Sequence, residues 1–153
     1  PPNFTPIMAI GLMGGAFLKN NKLVYIIPVS AMLLSDVILE YYHGIGFHPI
    51  LPFVYSSIII CAYLGTRLSH NFKLYNIIRY TFGSSLLFFI VTNFGVWLYG
   101  YPKSISGLIS CYTLAIPFYR NALVGDLFYT GIIFGLYLLY RKIAVHINPD
   151  LVK

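Results

Sequence analysis

The chain has 153 residues, of which 58% are hydrophobic and only 9% are charged, and its formal net charge is +6. Soluble domains carry about a quarter of their residues as charged side chains, so this composition excludes an ordinary soluble fold and indicates a membrane protein. No basic stripe or RNA-binding motif accompanies the positive charge, which argues against a nucleic-acid-binding protein.

Five apolar stretches follow one another along the chain. Together they predict an all-α, polytopic membrane helical bundle that forms a single domain over residues 1–153. A short outer loop, 1–5, precedes them, and Thr5 can cap a first helix that begins at Pro6, where proline costs little. The expected membrane helices cover residues 6–18, 23–39, 50–66, 76–99 and 121–142.

The distribution of basic residues orients the predicted bundle. Threading the five stretches alternately through a bilayer places Lys103 and Arg120 on one side and the other eight Lys and Arg residues on the opposite side. Loops rich in Lys and Arg stay in the cytoplasm, so we expect a cytoplasmic C-terminus and an outward-facing N-terminal loop. With five membrane helices and a cytoplasmic C-terminus, Pro1 lies on the outer side. We therefore expect a sixth helix before Pro1 that carries the chain across the membrane in the complete protein.

The segment 100–120 differs from the five stretches. It is moderately apolar and is interrupted by Pro102, Gly107 and Pro117, which disfavour a continuous membrane helix. We expect a re-entrant piece or a lid over the outer end of the bundle, because long structured loops are often functional. An amphipathic helix on the membrane surface is the alternative interpretation.

Polar and aromatic side chains gather near the outer level of the threaded bundle. An aspartate at the centre of a membrane helix costs roughly 3 kcal/mol, so Asp36 and Asp126 require an explanation. One interpretation is a substrate pocket that opens outward; the other is that Arg120 pairs with one of these acids while Asn93 bonds to the backbone. The candidate substrate-binding residues are Asn3, Thr5, Asp36, Asn93, Trp97, Tyr112, Arg120, Asn121 and Asp126.

A second group of residues has spacing that permits metal binding. Asp36, Glu40 and His43 share one helical face if their helix extends that far, and His48 follows nearby. These residue types can bind a divalent cation, but a solvated outer helix end is the favoured explanation. We therefore treat them as weak metal candidates and expect no resident metal.

Two pairs of glycines predict close packing between helices. Gly11 with Gly15 and Gly131 with Gly135 are spaced four residues apart, a pattern that lets helix backbones approach one another. Packing within the bundle is the simpler interpretation. Docking against a partner membrane subunit is the alternative.

Several local sequences resemble a family of small uncharacterised bacterial membrane proteins. They are Pro2-Asn3-Phe4-Thr5-Pro6, Met32-Leu33-Leu34-Ser35-Asp36, Thr92-Asn93-Phe94 with Trp97, and Pro117-Phe118 through Asn121 to Gly125-Asp126. That family is in turn similar to the substrate-binding (S) components of energy-coupling-factor transporters. The resemblance implies a six-helix protein of the bacterial cytoplasmic (inner) membrane. It also implies a substrate held near the outer side by three loops, which correspond here to 1–5, 40–49 and 100–119.

Three functional hypotheses follow. The favoured one is a substrate-binding subunit for uptake of a small vitamin-like solute or metal, with a membrane scaffold and ATPases on partner chains, as the resemblance implies. The alternative is a structural or accessory subunit of a larger membrane complex. An enzyme is disfavoured, because the sequence has no recognisable nucleophile–base pairing or phosphate-binding loop. We expect no cofactor.

Overall fold

The computed structural model describes residues 6–18, 22–69 and 72–147, and the regular structure in these residues is entirely helical. The helices, in chain order, are α1 (Ile7–Phe17), α2 (Leu23–His43), α3 (Leu51–Leu68), α4 (Leu74–Gly100) and α5 (Ile105–Ile147). Helices α2 to α5 are long and apolar enough to cross a membrane, whereas α1 is shorter. The predicted all-α membrane helical bundle is therefore confirmed.

The first four helices lie close to their predicted positions. The largest difference is at the end of α2, which was expected at residue 39 and lies at His43. The helix is terminated by Gly44, which has a left-handed φ of 64°. The Gly44 N–H donates to the carbonyl of Glu40 at 2.9 Å. Glycine adopts this conformation without the steric cost that other residues incur.

Helix α1 occupies the centre of the bundle. It contacts each of the other helices, while α2, α3, α4 and α5 surround it in chain order, each packed against the next. Helices α2 and α5 do not contact each other. At 11 residues, α1 is about 16 Å long, which is roughly half of the hydrocarbon thickness of a bilayer. The centre of the bundle is consequently filled by helix over only part of its depth.

The crossing of α1 and α3 depends on two glycines. A Cβ atom built on Gly15 would lie 2.0 Å from the carbonyl oxygen of Ala62, and one built on Gly65 would lie 2.1 Å from that of Leu12. Because such distances are far inside van der Waals contact, only glycine permits the two backbones to approach this closely. The predicted packing role of Gly15 agrees with this crossing, and the sequence analysis did not identify Gly65.

The other predicted packing glycines behave differently. A Cβ atom on Gly11 would make ordinary contacts with Cys61 at 3.6 Å, whereas Gly131 and Gly135 have no atom near such a position. The expectation that Gly131 and Gly135 pack within the bundle is wrong for the described residues, because this face of α5 points outward. Docking of that face against another membrane protein stays a prediction.

An aromatic cluster joins α1, α5 and the segment that precedes α4 at one end of the bundle. The rings of Phe17 and Phe72 are stacked at 5.4 Å, and Phe134 and Tyr137 pack against Phe17 at 5.2 and 4.1 Å. This end also holds the last turn of α3 and the first turn of α4, with several of the basic residues. We call it the basic end; the loop that joins α4 to α5 lies at the opposite end.

Helix α5 corrects the prediction for segment 100–120. Residues 105–120 are helical and continuous with the expected last membrane helix, giving a helix of 43 residues that contains Pro117. Proline removes one backbone hydrogen bond, but neighbouring helices make this tolerable in membrane helices. The helix begins at a serine cap, since the Ser104 hydroxyl accepts a hydrogen bond from the Gly107 N–H at 3.1 Å.

The first third of α5 forms a wall of the bundle, and neither a lid nor a surface helix. Phe89 of α4 packs edge-on against Tyr112 at 5.6 Å and tilted against Tyr119 at 4.6 Å. The Tyr112 hydroxyl also donates to the carbonyl of Ile90 at 2.7 Å. These contacts bind residues 112–119 to the side of α4.

Candidate functional site

A cavity of about 670 Å³ lies at the N-terminal end of α1. Pro6 and the first residues of α1 form its base, and side chains from α2, α4 and α5 form its walls, with Val54 contributed by α3. The cavity follows from the length of α1. Because this central helix is short, the described parts of α2, α4 and α5 extend beyond its first residues and line the cavity there.

Most of the cavity surface is apolar or aromatic. Polar groups are contributed by Ser35, Ser85, Thr92, Asn93, Tyr119 and Asp126. Two of them already bond to their own helix: the Thr92 hydroxyl donates to the carbonyl of Phe88 at 2.7 Å, and the Asn93 amide donates to that of Phe89 at 2.8 Å. Among the described lining residues there is no Lys, Arg or His.

Asp126 is the ionisable carboxylic acid of the cavity wall. Its side chain is only 4% exposed, and it lies deep in the bundle, 21 residues after the start of α5 at Ile105. The hydroxyl-bearing residues Ser85 and Tyr119 lie within electrostatic range of it. The sequence analysis placed Asp126 near the outer end of a helix, because it did not foresee that α5 begins at residue 105.

Four buried hydroxyl groups lie on the two helices that contribute Asp126 and its neighbours, α4 and α5. Within the described residues, the oxygens of Ser84, Ser85, Tyr119 and Thr130 have no hydrogen bond of standard length, although Ser85 lies close enough to interact with Asp126 and Ser84 with Cys61. Thr130 lies one helical turn after Asp126, and Cys61 of α3 is in range of both Ser84 and Asp126. Buried polar groups are normally satisfied, so this concentration of unpaired hydroxyls marks a site. We refer to Asp126 and these four residues as the hydroxyl cluster.

Asp36 has a different environment. It is 2% exposed, and it accepts a hydrogen bond from the hydroxyl of Tyr55 at 2.5 Å. It does not line the cavity, although Ser35 and Leu39 of the same helix do. The pair joins α2 to α3, so Asp36 lies beside the cavity wall and outside the group that contains Asp126.

The remaining predicted site residues do not line the cavity. Trp97 donates from its indole nitrogen to the carbonyl of Pro102 at 3.1 Å, and Tyr112 bonds to α4. Arg120 is exposed, Asn121 is half-buried, and no ion pair joins Arg120 to either aspartate in the described residues. Asn3 and Thr5 lie outside the described residues. The structure therefore brings together two of the nine candidates, Asn93 and Asp126.

Three of the weak metal candidates, Asp36, Glu40 and His43, lie in α2, whereas His48 follows its end. The Glu40 carboxylate accepts hydrogen bonds from the backbone N–H groups of Gly46 and Phe47 at 2.9 and 3.1 Å, so it caps the turn that follows the helix. His43 and His48 are exposed. In the described part of the chain, no three His, Cys, Asp or Glu residues are grouped to hold a metal ion.

The sequence analysis missed the hydroxyl residues of the cluster. A signal was present in part: Thr81, Ser84, Ser85 and Thr92 recur at helical spacing and are all buried in α4, and Thr130 follows Asp126 by four residues. Such a polar stripe in an apolar helix indicates a face turned away from lipid. The apolar residues that line the cavity could not be identified from the sequence, because Ile, Met and Phe occur on every face of these helices.

Comparison with known proteins identifies the family of this chain but assigns no activity to it. Neither a curated protein nor a solved structure shows significant similarity to the chain. Residues 1–147 match the model of DUF6580, a family of unknown function. Since this match covers nearly the whole sequence, the chain belongs to the DUF6580 family.

Proposed function

We propose that this protein binds a small organic solute in the cavity at the N-terminal end of α1, and that it serves as the substrate-binding membrane subunit of an uptake transporter. The observation that carries the binding proposal is the cavity itself. Its volume of about 670 Å³ falls within the range of roughly 300–1,000 Å³ that is typical of ligand pockets. It also combines an apolar surface with a few convergent polar groups, as ligand pockets generally do.

The transport part of the proposal rests on the resemblance to S components of energy-coupling-factor transporters. Such a subunit binds its substrate within the membrane and depends on partner chains for energy. The described cavity lies between membrane-spanning helices, which is the position that this role requires. The absence of a metal-binding group in the described residues favours an organic solute over a metal ion as the cargo.

An accessory role in a membrane complex is the second candidate. It is favoured by the outward-facing Gly131 and Gly135, which leave open space where another helix can approach. In this role the cavity would be filled by lipid tails and would have no specific ligand. The two candidates therefore differ in what occupies the cavity.

The test is to identify what the purified protein carries. The full-length protein in lipid nanodiscs is analysed by native mass spectrometry and by solvent extraction, together with an Ala122→Phe variant that fills the cavity. Leu127→Phe is the matched control, because Leu127 lies on the same helix but is exposed. We expect a ligand with the wild type and Leu127→Phe, and its loss in Ala122→Phe.

Two results contradict the proposal. A ligand retained equally in Ala122→Phe shows that binding occurs elsewhere. Lipid alone in all three samples, together with co-purification of a stoichiometric membrane partner, supports the accessory role.

A further inference from the structure

We propose that the solute is a largely apolar molecule with one protonated amine, whose ammonium group binds to the hydroxyl cluster while its apolar part occupies the cavity. This inference rests on the proposed binding function and names the chemical class of the ligand. It is carried by the charge, the unpaired hydroxyls and the surface of the same cavity.

The charge of the site favours a cationic group. Asp126 presents a carboxyl group to a cavity whose described lining contains no Lys, Arg or His. Arg120 is exposed and lies outside the lining. A buried carboxylate without a counter-charge is costly, and a ligand that brings a positive charge offsets that cost. An anionic head group would instead be repelled by Asp126.

The hydroxyl groups match an ammonium group in number and kind. An ammonium group has three N–H donors and no acceptor. Asp126 supplies a carboxylate, and the hydroxyl oxygens of Ser85 and Tyr119, both from lining residues, are two more acceptors. The Ser85 hydroxyl lies close enough to interact with Asp126, and its oxygen lone pairs stay available to an ammonium group. The Tyr119 hydroxyl has no hydrogen-bond partner among the described residues.

The rest of the cavity matches an apolar chain or ring. Ile7, Met32, Phe88, Phe89 and Phe118 are among its lining residues. The rings of Phe89 and Tyr119 pack at 4.6 Å, so the apolar surface is in contact with the hydroxyl cluster. A molecule bound here would keep its charged end at Asp126 and its apolar part among these side chains.

The position of the opening indicates that such a molecule enters from the lipid. Helices α2 and α5 both line the cavity but do not contact each other. Ala31 and Ser35 of α2 and Phe118 of α5 line the cavity and are also exposed. No described residue bridges this gap, so a solute that partitions into the bilayer can pass between α2 and α5.

The experiment compares three probes of equal chain length: decylamine, decanol and decanoate. Binding of each radiolabelled probe to the full-length protein in nanodiscs is measured by equilibrium dialysis, with empty nanodiscs as the blank for lipid partitioning. We expect decylamine to bind at least about tenfold more tightly than decanol, because a charge-assisted hydrogen bond contributes at this level. Decanoate should bind more weakly than decanol.

Variants connect this preference to the cluster. Asp126→Asn should remove the preference for decylamine over decanol, whereas Asp36→Asn should retain it, because Asp36 is bonded to Tyr55 outside the cavity. Ser85→Ala keeps the carboxyl group of Asp126 and is the second test variant if Asp126→Asn does not fold. It should weaken decylamine binding by several-fold and so reduce the preference for decylamine over decanol.

Three outcomes overturn the amine assignment. The first is equal binding of the three probes, and the second is a decylamine preference that survives in Asp126→Asn. The third is Asp126-dependent binding of ²²Na⁺ without a decylamine preference, which identifies an alkali-metal site. None of these contradicts the proposed function, which fails separately if Ala122→Phe retains the extracted ligand.

Discussion

Two buried aspartates lie in the membrane-spanning part of this protein, and their neighbours give them different roles. Asp36 accepts a hydrogen bond from Tyr55 at 2.5 Å, so its carboxyl group is satisfied within the protein. Asp126 lies among hydroxyl groups that have no partner in the described residues. An acid that is satisfied locally stabilises the fold, whereas an acid that faces a cavity and unpaired hydroxyls is available to a ligand.

The role of Asp36 leads to a prediction for stability. Tyr55→Phe removes the hydroxyl group and leaves a buried carboxyl group without its partner, which should cost about 1–3 kcal/mol of unfolding free energy. The measurement is thermal or denaturant-induced unfolding in detergent micelles. Asp36→Asn in the Tyr55→Phe background should recover part of the loss, since it removes the need to bury a carboxylate.

Tyr63→Phe is the control for Tyr55→Phe. Tyr63 lies on the same helix and its hydroxyl accepts a hydrogen bond from Arg67, but this pair is exposed. Exposed polar pairs contribute about 0–1 kcal/mol, so the control should change stability little. Equal losses in the two variants contradict a structural role for the Asp36–Tyr55 hydrogen bond.

At the scale of the elements, the short helix α1 determines the architecture. It crosses α3 at Gly15 and Gly65, where no Cβ atom fits, and this close approach fixes its position at the centre. Because α1 is short, side chains of the neighbouring helices line the cavity at its N-terminal end. Among the described residues, the cavity therefore lies where the short α1 ends and the longer helices continue.

The crossing of α1 and α3 gives a second prediction. Gly15→Ala places a methyl group 2.0 Å from the carbonyl oxygen of Ala62, so the helices must separate, and overpacking of this kind costs about 1–3 kcal/mol or more. Gly131→Ala is the matched control, because its Cβ atom meets open space and alanine is the better helix former. Unfolding midpoints and the yield of monodisperse protein measure the difference.

The expected order of stability in this series is Gly15→Ala below the wild type, with Gly131→Ala equal to or slightly above it. A Gly15→Ala variant as stable as the wild type would show that α1 does not pack against α3 at this distance.

Helix α5 is longer than a single crossing of the membrane requires. Its 43 residues correspond to about 65 Å, which exceeds the roughly 40–45 Å of a whole bilayer with head groups. Phe134 and Tyr137 pack into the aromatic cluster at the basic end. The residues that follow, including Arg141 and Lys142, extend past that cluster, where basic side chains can reach the membrane surface.

At the scale of the whole molecule, charge determines orientation. Arg67, Lys73 and Arg141 lie toward the basic end, and Lys103 lies in the opposite loop, where its ammonium group donates to the carbonyls of Trp97, Leu98 and Tyr101. By the positive-inside rule we expect the basic end to face the cytoplasm. This orientation is the third prediction.

Labelling of introduced cysteines tests the orientation. Ser104→Cys should react with a membrane-impermeant maleimide in intact cells, whereas Ser69→Cys should react only after the membrane is permeabilised, because both serines are exposed but at opposite ends. The native Cys61 and Cys111 are free but buried, so they should contribute little background. The reverse pattern of labelling contradicts the assignment.

The sequence by itself determined the class of the protein and the positions of most helices. Runs of apolar residues can be recognised locally. Lipid offers backbone groups no hydrogen bonds, so an apolar membrane segment is restricted largely to the helical conformation. The first four helices consequently lie within a few residues of their predicted bounds. Local rules failed at α5, because Pro117 disfavours a helix only when no neighbouring helix supports it. Contacts such as Phe89 with Tyr112 and Tyr119 provide that support.

Only the tertiary structure decided which polar residues meet. Asp36 and Asp126 are chemically identical and were predicted to share a site, yet the rotation of their helices directs one to Tyr55 and the other to the hydroxyl cluster. Gly15 and Gly131 belong to similar motifs, yet one faces a neighbouring backbone and the other faces open space. Helix rotation and register arise from packing among all the helices, and no single stretch of sequence specifies them.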